Sequence, residues 1–325
     1  MIVNQISLFS STPIEITKVS KQTYWEKENE LATLKADVRE HISSRDYTSA
    51  LSTAQNALDL SIKHFKLNHP VTGSCHSDLA LVNKELGNYD LSRELYSKAG
   101  EIYESTVGKE HPSYATMINN LGQSFKGECA KLHVVPPPLP PPLLIYTTGR
   151  AAQANSSETR GMDRMVFLDK AEECFVESNT IREENLGENH ADSLISLGAV
   201  GGVQMAKKNW KAAEKTLRTV HKRSKGVGGG ALASAEHNLG VCLKKHGCEG
   251  GGGVDKEGKL VEARGLYLKA LEWRVKEVGE AGTATLMTMT SIAELDNELY
   301  GEKRAVVWWE RIEKALGVEG GSGSV

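Results

Sequence analysis

Two short segments of the sequence carry residue types that bind phosphate or metal ions. Residues 253–259, GVDKEGK, have the spacing of a phosphate-binding loop, but Leu260 follows where a Ser or Thr hydroxyl would hold Mg²⁺. Such a loop also follows a β-strand, whereas a helical pattern precedes this one. The segment therefore favours a flexible glycine-rich insert over a nucleotide site.

The second segment holds His237, Cys242, His246 and Cys248, and zinc accepts both side-chain types. Cys242 and His246 share a helix face because they are four residues apart, but His237 lies about 140° around the helix from Cys242. Since no C-x-x-C pair is present, a buried cysteine and exposed histidines are the favoured interpretation. No nucleophile or acid pair stands in a recognisable catalytic arrangement. The sequence predicts no metal, no cofactor and no enzyme.

Composition and charge narrow the function further. The chain has 325 residues, with 39 Lys and Arg against 42 Asp and Glu, a net charge of −3. It therefore has no basic excess to drive nucleic-acid binding. Five scattered cysteines are typical of a reducing compartment rather than a disulfide framework. No apolar run has the length of a membrane span, and neither a signal peptide nor a presequence is recognisable, so we expect a cytoplasmic protein.

Internal repetition is the strongest pattern in the sequence. His69-Pro70 and His111-Pro112 are 42 residues apart, and Leu79-Ala80 and Leu121-Gly122 follow them at equal distances. A second signature places an aromatic or apolar residue three positions before a small one. It occurs at Tyr47 and Ala50, Tyr89 and Ser92, Leu168 and Ala171, Trp210 and Ala213, and Leu260 and Ala263. Prolines and glycines cluster between these signatures and leave long helical tracts.

These signatures resemble those of tetratricopeptide repeats, and the 42-residue period resembles the longer repeats of kinesin light chains. The resemblance implies an all-α fold, a right-handed superhelical solenoid of antiparallel helix pairs. We expect six pairs, over residues 28–69, 70–111, 112–190, 191–229, 230–281 and 282–316.

Two inserts and two tails complete the predicted organisation. Residues 1–27 form an N-terminal tail, repeats occupy 28–126 and 164–316, and 317–325 form a Gly/Ser tail. A disordered Pro-rich insert is expected over 127–163 and a Gly-rich insert over 247–258. The run Pro136–Pro142 has two interpretations, a ligand for a domain that reads polyproline II or a spacer.

The resemblance also implies a peptide groove along the first helix of each pair. Its lining positions lie three and two before, and one and four after, the small residue of that helix. The candidate residues are Ser77 and Lys84; Asn119, Asn120, Gln123 and Lys126; and His237, Asn238 and Lys244. Asn amides can bond the backbone of an extended peptide, and lysines in phase favour an acidic one, although a solvated helix face also carries lysine.

The predicted function is a non-catalytic scaffold or adaptor that binds a linear, acidic peptide in this groove. Two alternatives stay open. One is a kinesin-light-chain-like cargo adaptor of a microtubule motor. The other is a nucleotide-dependent regulator or enzyme, which the failed phosphate loop disfavours.

Overall fold

The computed structural model describes residues 12–131, 149–249 and 255–317, and the regular structure in these ranges is entirely helical. The helices are α1 (Thr12–Ser43), α2 (Tyr47–Phe65), α3 (Pro70–Glu85), α4 (Tyr89–Thr106), α5 (Pro112–Lys131), α6 (Gly149–Leu186), α7 (Ala191–Ala206), α8 (Trp210–Val227), α9 (Gly229–Glu249), α10 (Lys256–Val278), α11 (Thr283–Tyr300) and α12 (Glu302–Ala315). The predicted all-α class is confirmed.

The helices divide into two compact units. The N-terminal unit, residues 1–133, holds α1 to α5, and the C-terminal unit, residues 134–325, holds α6 to α12. Within each unit every helix packs against the next helix in the chain, which is the arrangement of a repeat solenoid. Helices α5 and α6, which correspond to the predicted third pair, belong to different units.

Histidine caps begin three of the first helices. The Nδ1 atoms of His69, His111 and His190 accept hydrogen bonds from backbone N–H groups two residues later, at 3.2, 3.1 and 3.2 Å. Each bond satisfies one of the donors that a helix leaves free at its start. Pro70 and Pro112 occupy the first helical position, where no N–H group is needed. The His-Pro signature is therefore a helix-start device.

Small residues allow the two helices of a pair to approach closely. A Cβ atom added to Gly240 of α9 would lie 2.7 Å from Cε1 of Tyr267 in α10. The same addition at Gly201 of α7 would place a carbon 2.7 Å from Cγ of Leu217 in α8. Ala80 of α3 is fully buried. Close packing without voids is what holds such a core together.

The helices extend further than the sequence predicts at three places. Helix α1 begins at Thr12, inside the predicted tail 1–27, and its Pro13 lies in the first turn, where a helix tolerates proline. Helix α5 continues to Lys131 and α6 begins at Gly149, so both flanks of the predicted disordered insert 127–163 are helical. Helices α9 and α10 likewise include both ends of the predicted insert 247–258.

The helix breakers explain why the predicted inserts were too long. The prolines of the first insert lie at 136–142, and four consecutive glycines of the second lie at 250–253. Sequence outside these runs contains ordinary helix formers, so helices enter both predicted inserts from their two ends. The run Pro136–Pro142 lies outside the described residues, as do residues 318–325 of the predicted C-terminal tail.

Candidate peptide-binding surface

Helix α9 uses one predicted groove residue, His237, to contact the next first helix, α11. His237 is only 8% exposed, Nδ1 lies 3.3 Å from the Thr288 hydroxyl, and its ring centroid is 5.4 Å from that of Tyr267. Burial, reinforced by the nearby Arg274, lowers the pKa of His237 to about 4. The expectation that His237 faces a groove is therefore corrected: it is a buried contact between helices.

Lys244, about two turns further along α9, also has a partner within the protein. Its Nζ lies 2.7 Å from Oε2 of Glu294 in α11, so the pair neutralises the charge that was predicted to attract a peptide. Asn238 differs from both residues because it is exposed and its side chain bonds no described residue. Of the α9 candidates, only Asn238 keeps its polar group free.

Helix α3 holds its two candidates in local interactions. The Ser77 hydroxyl donates to the backbone carbonyl of Gly73 at 3.2 Å, one turn earlier. Lys84 forms an ion pair with its neighbour Glu85 at 2.8 Å. Each is partly buried. The hydroxyl group of Ser77 and the ammonium group of Lys84 are therefore already engaged within α3 and less available to a ligand.

Helix α5 presents a different surface, formed by Asn119, Asn120, Gln123 and Lys126 and called here the α5 surface. None of these four side chains makes a hydrogen bond or an ion pair with a described residue. Asn119 is 7% exposed, and its buried Oδ1 accepts no hydrogen bond. An unsatisfied buried acceptor of this kind costs about 1–3 kcal/mol. The other three are partly buried.

Lys126 gives the α5 surface its charge. Burial lowers the pKa of its ammonium group, since no described carboxylate offsets the loss of hydration. A carboxylate brought next to Lys126 would reverse this effect and favour the charged form. The ammonium group is therefore placed to gain from an anionic ligand.

A cavity of about 340 Å³ lies between the first helices of the N-terminal unit. The apolar part of its lining comes from Leu31, Ala32, Pro70, Val71, Tyr103 and Val107, and its polar part from Glu28, Lys35, Ser74, His111 and Ser113. Lys35 of α1 donates to the Ser74 hydroxyl and lies 3.4 Å from the Asp78 carboxylate of α3. The cavity is large enough to accept an apolar side chain.

We call the place of the small residue in each first helix its register position. Sequence reasoning missed Lys35 because Val38, which is not a small residue, occupies the register position in α1. The turn could have revealed it: Tyr47 follows Val38 by nine residues, as Tyr89 follows Ala80. Counting back from the aromatic residue would have placed Lys35 three before the register position.

Sequence reasoning also missed two buried arginines that form hydrogen bonds at the same sequence separations. Arg182 of α6 donates to the carbonyl of Asp192 at 3.0 Å and to the Ser196 hydroxyl at 2.7 Å. Arg274 of α10 donates to Ala284 and Thr288, again ten and fourteen residues later. Each arginine follows the small residue of its helix, Ala171 or Ala263, by eleven positions, which is the signal that could have found them.

The metal-like and phosphate-like segments make protein contacts. Cys242 is buried, His246 Nδ1 lies 2.7 Å from Glu214, and the Cys248 thiol lies 3.2 Å from Glu298. Lys259 forms an ion pair with Glu214 at 2.8 Å. Within the described ranges no three His, Cys, Asp or Glu residues come together in a metal-binding group. No helix in those ranges is both long and apolar enough to cross a membrane.

Comparison with known proteins agrees with the repeat fold. The family model for the tetratricopeptide repeat matches residues 76–128. No curated protein matches the sequence significantly.

Two solved structures resemble the fold of this chain. BtubC (BKLC) from P. vanneervenii aligns with a TM-score of 0.54 at 15% identity, over 89% of this chain and 94% of that one. The kinesin light chain TPR-like repeats of Podosopora anserina align with a TM-score of 0.53 at 15% identity, over 77% and 96%. At this identity the likeness establishes the fold alone. Residues 76–128 thus match the tetratricopeptide repeat, and the chain has an all-α repeat-solenoid fold similar to that of kinesin light chain repeats.

Proposed function

We propose that this chain is a non-catalytic scaffold that binds a linear, acidic peptide on the α5 surface of its N-terminal unit. The observation that carries the proposal is that Asn119, Asn120, Gln123 and Lys126 have no side-chain partner among the described residues. Buried polar groups such as that of Asn119 normally form a hydrogen bond in a native protein. A ligand that supplies donors, acceptors and a carboxylate would satisfy them.

The two kinds of side chain on this surface have separate roles. Asn120 and Gln123 each carry an amide that can donate to and accept from a peptide backbone, whatever the peptide's side chains. Lys126 selects a carboxylate, because a charge-assisted hydrogen bond is stronger than a neutral one. The amides therefore supply affinity for an extended chain, and the lysine supplies preference for an acidic residue.

The neighbouring cavity offers a separate, apolar contact. Ser113, at its wall, precedes Lys126 by thirteen residues on α5, which is about 20 Å along the helix and about 140° around it. The cavity wall and Lys126 therefore lie on different faces of α5, so the cavity would accept an apolar side chain outside the segment that pairs with Lys126.

Lys84 and Lys244 take smaller parts. Each already has a carboxylate partner, so a peptide would have to displace or share it. Partly exposed pairs of this kind contribute only about 0.2–1 kcal/mol.

We place the scaffold in the cytoplasm, because all five cysteines are free thiols, as a reducing compartment keeps them.

Selection from a random library of displayed peptides on the full chain tests this function. We expect enriched peptides to contain an acidic residue and to lose at least about tenfold in affinity for the variant Asn120→Ala with Lys126→Ala. The matched control, Asn238→Ala with Lys244→Ala, changes the same register positions in α9 and should bind as the wild type does. Peptides that bind both double variants equally well would overturn the assignment.

A further inference from the structure

A second cavity lies in the C-terminal unit, where α10, α11 and α12 meet. Its volume is about 530 Å³, and seven residues line it: Arg264, Asp296, Tyr300, Lys303, Arg304, Val307 and Trp308. Three of the seven are cationic and one is acidic. The cavity is thus a local positive site in a chain whose net charge is −3.

The one acid is fully occupied by protein donors. Asp296 is completely buried, and Arg264 donates to both of its oxygens, with Nη2 at 3.0 Å from Oδ2. The Trp308 indole N–H donates to the same Oδ2 at 3.0 Å. Arg264 and Asp296 therefore cancel each other, and the indole ring is fixed at the cavity wall.

The two remaining cations have no such partner. Lys303 and Arg304 are exposed, and neither forms an ion pair with a described carboxylate. The Arg304 guanidinium lies 4.9 Å from the centre of the Tyr300 ring, which orients it without neutralising it. The lining retains two positive charges for a ligand.

Apolar surface adjoins these charges. The exposed fraction is 50% for Tyr300 and 62% for Val307, both high values for large apolar side chains that line a cavity. A guanidinium group suits a planar carboxylate, and Tyr300 with Val307 suits an aliphatic or aromatic side chain beside it. Neither a purely ionic nor a purely apolar ligand would use the whole lining.

We propose that this cavity binds a peptide carboxylate that is adjacent to an apolar side chain. The carboxylate would pair with Lys303 and Arg304, and the apolar group would cover Tyr300 and Val307. The residues are separate from the α5 surface, so this site adds a second recognition element to the chain. A C-terminal carboxylate and an Asp or Glu side chain share the required chemistry.

Three small probes separate these sources: acetyl-Gly-Leu with a free carboxylate, its C-terminal amide, and acetyl-Glu-Leu amide. The reporter is the indole NMR signal of Trp308 in the full chain labelled with ¹⁵N-tryptophan, assigned by Trp308→Phe. We expect at least one carboxylate probe to shift this signal with a dissociation constant of about 1 mM and the neutral amide to leave it unchanged. Which carboxylate probe binds identifies the source.

The variant Lys303→Ala with Arg304→Ala should weaken the carboxylate probe about fivefold or more, and added salt should do the same to the wild type. Lys314→Ala, an exposed lysine on the same helix outside the cavity, is the matched control and should bind normally. A Trp308 signal that shifts equally with the neutral amide, that shifts with neither carboxylate probe, or that is unaffected by the double variant would overturn the proposal.

Discussion

Helices α5 and α9 carry polar residues at the same register positions and use them differently. Three before the small residue, α9 has His237, which contacts Thr288, whereas α5 has Asn119 with an unsatisfied oxygen. Four after it, α9 has Lys244 paired with Glu294, whereas Lys126 of α5 has no described partner. The residue types are similar, but at these two positions only the residues of α9 have a partner on another described helix.

The comparison shows that a side chain's position in the repeat does not decide whether it contacts another helix or can bind a ligand. For α9, the following first helix decides it by supplying complementary groups. Helix α11 supplies the Thr288 hydroxyl and the Glu294 carboxylate to α9. We therefore expect substitutions around α9 to change stability and substitutions on the α5 surface to change binding.

The largest effect should follow the loss of Arg274, which is 8% exposed and donates to Ala284 and Thr288. Arg274→Met removes two hydrogen bonds of a charged donor, so we expect the unfolding free energy of the C-terminal unit to fall by about 2–4 kcal/mol. Four of the five tryptophans lie in this unit, so urea unfolding followed by fluorescence measures it. Lys276→Met, an exposed change on the same helix, should stay within about 0.5 kcal/mol of the wild type.

His237 should make the unfolding free energy of the C-terminal unit depend on pH, with a change similar in size to that expected for Arg274→Met. Its pKa of about 4 in the folded protein is below the ordinary value of 6.5, so folding favours the neutral ring. The stabilisation is complete above pH 6.5 and is lost as the pH falls towards 4, by roughly 2–3 kcal/mol. Arg274, Tyr267 and Thr288 face the ring.

Unfolding free energies at pH 7 and pH 4.5 check this dependence in the wild type and in His237→Gln. Glu214 does not contribute to the difference between pH 7 and pH 4.5, because it stays ionised at both values. Burial opposes the ionisation of its carboxyl group, but hydrogen bonds from Lys259, Arg218 and His246 outweigh it and lower its pKa to about 2. An equal loss of stability in His237→Gln would show that other groups cause the pH dependence. His64→Gln, an exposed histidine change, is the control.

Peptide affinity should show the next largest effect, and on α5 alone. Replacing both Asn120 and Lys126 by Ala removes a neutral and a charge-assisted hydrogen bond, so we expect the affinity to fall about 10- to 150-fold, or by about 1.4–3 kcal/mol. Titration calorimetry with a selected acidic peptide measures it. The stability of the variant should be unchanged or slightly higher, because Lys126 is a partly buried charge without a described partner.

The smallest effect should follow Lys244→Ala. The pair with Glu294 is partly exposed, so its loss should cost about 0.2–1 kcal/mol of stability. Peptide affinity should change by less than about twofold. A larger loss of affinity for Lys244→Ala than for Lys126→Ala would reverse the comparison between α9 and α5.

Local patterns in the sequence were sufficient to predict the fold. His-Pro caps, aromatic turns and small residues act within one helix or one pair, so their spacing is visible in the chain itself. The site was less predictable, because the partners of His237 and Lys244 lie about fifty residues away on α11. No local pattern indicates whether such a partner is present, and the three positions that α5 and α9 share therefore received the same interpretation.

Hydrogen exchange with and without a selected acidic peptide tests the central claim most directly. If the α5 surface is the binding site, amide protection should rise in α5 and beside the cavity in α1 and α3, and should stay unchanged in α9 and α11. Protection confined to α9 and α11, with none in α5, would contradict the account.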